Sequence, residues 1–183
     1  MYEHGDARIL IFAKTELKLT VRDQSTAQSD LPTITCEIGL GNERKTIVNC
    51  FYREFTGAVS GLRDKASQIE RLGRQITVWK NGCSGTKDVV ILGDANICAI
   101  KYLEEDYHGK DLADMVRQFL LENDCNQMVT GYTRTEVGRG GVLLNSCIDH
   151  VYTNCPEKIQ TSVHHVGDSD HAGILVEKTI KLK

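Results

Sequence analysis

Five side chains able to bind a divalent cation or move a proton stand at the ends of apolar runs. They are Asp94 and Asn96 in Gly93-Asp94-Ala95-Asn96, Asp149 in Ser146-Cys147-Ile148-Asp149-His150, and Asp170 and His171 in Ser169-Asp170-His171. Val89-Val90-Ile91-Leu92 precedes the first cluster, Val151-Tyr152 follows the second, and Ala172-Gly173-Ile174-Leu175-Val176 follows the third. Strand ends present side chains to a ligand without disturbing the buried faces of a sheet. Aspartates, an asparagine and a histidine gathered there have the chemistry to hold a divalent metal and cut a phosphate ester.

Each cluster also has an ordinary reading. Gly, Asp and Asn form turns for local backbone reasons, so Gly93–Asn96 alone reads as readily as a turn. In the functional reading Asp94 takes a proton from, or orients, an attacking water, and Asn96 donates a hydrogen bond to the phosphate or to that water. Asp149 follows Ile148 in an apolar run, so its carboxylate needs a partner. That partner is a backbone amide, an arginine or a histidine; a carboxylate on one imidazole nitrogen fixes the tautomer and makes the other more basic. His171 is the candidate. Tyr52-Arg53 closes the run Thr46–Phe51 as an amphipathic rim pair or as two donors to phosphate oxygens. His164-His165 reads as structural, because adjacent strand residues point to opposite faces.

The elements that must position these groups follow from periodicity. Arg8–Lys14, Leu17–Arg22, Thr33–Leu40 and Lys45–Arg53 read as consecutive antiparallel strands, with Gly41-Asn42 as a hairpin turn. Leu62, Ala66, Ile69, Leu72, Ile76 and Trp79 recur at helical spacing, and Asn81-Gly82 supplies a stop. Asp88–Gly93 is apolar throughout and reads as a strand buried on both faces. A second helix is expected over about Lys110–Asn123, then strands over Cys147–Thr153, Lys158–Val166 and Gly173–Leu182. Thr130–Asn145, with Gly138-Arg139-Gly140-Gly141 at its centre, reads as an exposed, solvated loop. Strands in a run, then helices interleaved with strands, indicate an α/β layered protein with two sheets flanked by helices.

With 183 residues the chain is one domain, able to bury a real core. No apolar run approaches a membrane span, and the start lacks a signal-peptide layout. The seven cysteines are an odd number without a Cys-x-x-Cys pair. They read as free, mostly buried thiols of an intracellular, non-secreted protein, not as a disulfide frame or zinc site. A net charge of −3 counts against a tight nonspecific DNA binder. It leaves a nuclease open, since bound metal offsets active-site carboxylates.

In order and spacing, Tyr52-Arg53, Gly93-Asp94-Ala95-Asn96, Ser146–His150 and Ser169-Asp170-His171 resemble motifs of the endonuclease/exonuclease/phosphatase superfamily, which includes AP endonucleases and DNase I. In particular they resemble the endonuclease domain that precedes reverse transcriptase in non-LTR retrotransposons. Val129–Arg134 resembles the threonine-arginine segment before the aspartate strand of such domains. The resemblance covers essentially the whole chain, residues 1–183. It implies a four-layered sandwich of two mixed β-sheets flanked by helices, and hydrolysis of DNA phosphodiesters with Mg²⁺ or Mn²⁺ that leaves a 3′-hydroxyl. Asp94, Asn96, Asp149 and His171 would be catalytic, Tyr52 and Arg53 would grip the phosphate, and Asp170 would help hold the metal. A reverse transcriptase domain would adjoin the ancestor. Family members begin with strands carrying an asparagine and a metal-binding glutamate; this chain opens near the third such strand, and Glu3 lies too close to it to serve. A domain lacking its first strands is therefore expected, and with it two alternatives: an inactive remnant, or a superfamily phosphatase acting on another phosphoester.

Overall fold

The computed structural model describes residues 9–25, 32–39, 45–53, 65–85, 87–102, 104, 107 and 109–179. In chain order these form β1 (Lys18–Ser25), β2 (Thr33–Gly39), β3 (Thr46–Tyr52), α1 (Lys65–Cys83), β4 (Asp88–Asp94), α2 (Lys110–Glu122), β5 (Asn126–Gln127), β6 (Arg134–Val137), β7 (Leu143–Ser146), β8 (Asp149–Thr153), β9 (Ile159–His164) and β10 (Gly173–Lys178). Six strands make one mixed sheet in the order β1-β2-β3-β4-β8-β5. β3 and β4 run parallel, with α1 as their crossover, while the other pairs are antiparallel. β9 pairs with β10, and β6 with β7.

The continuous apolar run of β4 serves two cores, one on each face. Val89 and Ile91 meet Leu72, Ile76 and Trp79 of α1 and Val116 and Phe119 of α2. Val90 joins Val129, Val151 and Ile159 on the other face, where Ile174 and Val176 of β10 pack. Trp79 is the hub of the helix-side core, its ring 4.8 Å from Phe51, 5.3 Å from Phe119 and 5.4 Å from Tyr152. The described residues thus build three layers: helices, the large sheet, and β9–β10. The α/β class with two packed sheets is as expected.

Several boundaries differ from expectation. Residues 9–14 form no strand: among the described residues none pairs with them, and Leu10 and Phe12 stay exposed. The turn expected at Gly41-Asn42 and the helix start at Leu62 lie outside the described residues, although β2 and β3 are antiparallel. α1 continues through Asn81-Gly82 to Cys83; Ser84 N–H still donates to Lys80 O (3.1 Å), and Gly85 at φ +113° makes the break. The expected loop over Thr130–Asn145 contains a hairpin, β6–β7, with the glycines at its tip. Its strands are half or fully exposed, so no apolar alternation betrays them. All seven cysteines are free. Among the described residues no helix is long and apolar enough to cross a membrane.

Candidate active site

The site forms where β3 and β4 end and β8 begins. Register places Tyr52 opposite Asp94, and Asp94 opposite Asp149. Close approach of β3 and β4 just before this point requires glycine: a Cβ at Gly93 would lie 1.8 Å from Phe51 O. The chain after Asp94 then turns back on itself. Asn96 sits at φ +49°, and its N–H donates to Asp94 Oδ1 at 2.8 Å, a turn that aspartate and asparagine favour.

His171 arrives from the segment before β10, where it bridges to Arg134 of the β6–β7 hairpin. Its Nδ1 lies 3.0 Å from Asp149 Oδ2. The ligand atoms of Asp94, Asp149 and His171 all fall within 4.8 Å of one another. The structure therefore gathers three residues from sequence positions far apart. Burial and the neighbouring Asp149 carboxylate push the Asp94 pKa up to about 6, against an ordinary value of 3.8. Two carboxylates and an imidazole, with one carboxylate crowded upward, are a donor set suited to a divalent cation. Mg²⁺ in particular takes one or two carboxylates and fills its remaining positions with water and phosphate oxygens.

Two expected site residues stand elsewhere. Arg53 is turned inward: it is 1% exposed, and its guanidinium donates to Ala95 O (2.6 Å), Asn96 O (3.1 Å) and Gln68 Oε1. Its backbone N–H holds Asp94 O at 2.9 Å, and its carbonyl accepts from Asn96 Nδ2 at 2.6 Å. The side chain is spent on the carbonyls of the Asp94 turn because those buried acceptors have no water to satisfy them. Burial, with Arg71 nearby, brings its pKa down to about 10. Asp170 lies outside the trio. Its exposed carboxylate accepts from Arg134 Nε at 3.0 Å, which holds it below the usual carboxylate range.

Thr133 carries a role the sequence did not reveal. It is fully buried, and its Oγ1 accepts from both Ile148 N and Asp149 N at 3.0 Å. Its backbone joins Ser146 O (2.9 Å) and Ala172 N (2.8 Å), so one residue ties the Asp149 strand to the His171 segment. Its place within Val129–Arg134 was the only signal. His150, also fully buried, has Nε2 3.1 Å from Cys147 O and Nδ1 against Tyr152 Oη, and burial brings its pKa down to about 4.

No protein-family profile matches the chain, and no curated protein sequence matches it. Solved structures do. The endonuclease domain of TRAS1, a telomere-specific non-LTR retrotransposon, is similar with a TM-score of 0.62 at 19% identity, over 92% of this chain and 72% of that one. The 3′ phosphatase NExo from Neisseria, bound to product DNA hairpin, gives 0.55 at 14%, over 90% and 80%. An AP endonuclease from Archaeoglobus fulgidus gives 0.52 at 13%, over 80% and 65%. The α/β architecture that brings Asp94, Asp149 and His171 together is thus a fold shared with these three structures.

Proposed function

We propose that the protein is a divalent-metal-dependent phosphodiesterase acting on DNA. The observation that carries this reading is the convergence of Asp94, Asp149 and His171 at the strand ends. The fold supports it, since structures that share it include an endonuclease domain and a phosphatase holding a DNA hairpin. Asp94 and Asp149 would hold Mg²⁺ or Mn²⁺, which when bound supplies Lewis-acid polarisation of the phosphate. Asp94, beside that ion, would orient an in-line water for attack on the phosphorus. Asn96, fixed by Asp94 and Arg53, positions that water. Asp149 holds the His171 ring through Nδ1, and His171 would stabilise the charge that develops on the phosphoryl oxygen. Tyr52, opposite Asp94, adds a phenol donor for the phosphate, while Arg53 acts by holding the turn. In the retrotransposon-type reading the nick leaves a 3′-hydroxyl that an adjoining reverse transcriptase extends.

The test is nicking of supercoiled plasmid with Mg²⁺ or with EDTA. Cleavage is expected only with the metal, and His171→Ala should lower it by roughly 10²–10⁴-fold. A nick that a polymerase extends directly marks the 3′-hydroxyl product. Cleavage in EDTA, or full cleavage by His171→Ala, overturns the reading. Release of phosphate from a DNA 3′ end without nicking would assign the same site to a phosphomonoesterase.

A further inference from the structure

We infer that Cys83 and Cys125 are a site of reversible oxidation, forming a disulfide that staples the end of α1 to the segment after α2. Their sulfurs lie 4.0 Å apart, against about 2.0 Å in a bond, so a shift of about 2 Å joins them. The two helix ends are already held in register. Lys80, one turn before Cys83, pairs with Glu122, three residues before Cys125, at 2.7 Å. Beneath them Trp79 packs on Phe119. Cys125 is buried, with its N–H on Leu120 O at 2.9 Å, whereas Cys83 is only half-buried at the end of its helix. Gly82 before it and Gly85 after it give that end room to move. The two sulfurs are in direct contact, and Cys83, the more exposed of the two, is the one an oxidant reaches first.

The chemistry balances with a peroxide as oxidant. The Cys83 thiol gives up its proton and its sulfur attacks one peroxide oxygen; the O–O bond breaks, the departing hydroxide takes that proton, and a sulfenic acid and one water result. The Cys125 sulfur, losing its proton, then attacks the Cys83 sulfur; the S–O bond breaks and a second water leaves. Two thiols are oxidised, the peroxide is reduced, and a small thiol reverses the bond by exchange. The pair lies by the start of β4, while Asp94 lies at its other end, so the site is independent of the catalytic proposal.

The test treats the purified chain with dilute hydrogen peroxide and maps its peptides by mass. A cross-linked Cys83–Cys125 peptide is expected, with the free-thiol count down by two. Tm should rise by roughly 5–15 °C and return with a reductant. Cys83→Ser and Cys125→Ser should each abolish the rise, and Lys80→Ala should slow cross-linking several-fold. An unchanged thiol count, Cys83 sulfinic acid without a cross-link, or a bond between other cysteines overturns the proposal. The mapping on the unaltered chain decides this even where a serine variant fails to fold.

Discussion

The six-stranded sheet carries carboxylates at both ends, and the two ends treat them in opposite ways. At the end where β4 begins, Glu37 is buried under Lys45 (2.5 Å), Lys87 (2.6 Å) and Arg22, and these cations hold its pKa down to about 2. Asp88, at the same end, has Lys178 at 2.8 Å and Lys158 at 3.0 Å; burial pushes its pKa up, but the two ammoniums outweigh this and hold it low. At the end where β4 finishes, Asp94 faces Asp149 and its pKa rises to about 6. Arg53, the nearest guanidinium, is turned to backbone carbonyls. Buried carboxylates matched by cations are structure. Carboxylates brought against each other, with an imidazole as their close partner, are poised for a proton or a metal.

The largest expected effect breaks the reactive end. Asp94→Asn should lower Mg²⁺-dependent nicking by roughly 10²–10⁴-fold. The same change should stabilise the fold at pH 7. A carboxylate whose native pKa stands above its unfolded value binds its proton more tightly when folded. Its contribution is therefore present at low pH and lost as pH rises from about 4 through about 6. Removing it should gain about 1–3 kcal/mol in urea unfolding at pH 7 and nothing near pH 3. Equal stability of the two proteins at pH 7 would mean that a counter-charge already compensates Asp94.

The matched end gives the contrasting outcome. Glu37→Gln leaves three cations around a neutral amide, so Tm should fall markedly. Nicking per folded molecule should stay unchanged, because Glu37 pairs with Ile47 near the other end of β3 from Tyr52. A loss of activity without a loss of Tm would break the division between the two ends.

How much of this was legible in the sequence follows the same division. The strands β2, β3, β4 and β8 and both helices were visible, because alternating or continuous apolar residues are the direct imprint of burial. The Asp94, Asp149 and His171 groups were visible as polar clusters at the ends of such runs. What the sequence hid was direction. Arg53 has the same type and spacing whether it faces a phosphate or the carbonyls of Ala95 and Asn96. Asp170 adjoins His171 in sequence, yet its carboxylate turns to Arg134. The β6–β7 hairpin was hidden because its ladder rests on backbone bonds and exposed side chains.

Thr133 sharpens the comparison at the smallest scale, since it acts at the reactive end without any charge. Its hydroxyl oxygen is the acceptor for two buried N–H groups that begin the Asp149 strand, while its backbone holds the His171 side. Thr133→Val keeps shape and removes the oxygen, so two donors lose their acceptor beside a fully buried side chain. The expected cost is about 1–3 kcal/mol in denaturant unfolding. Nicking should also fall, in kcat more than in KM, because Asp149 and His171 would no longer be held at 3.0 Å. Thr133→Ser restores the oxygen and should recover most of both. Full nicking by the valine variant at reduced stability would show that the Asp149–His171 pair holds its own geometry, leaving Thr133 a purely structural link.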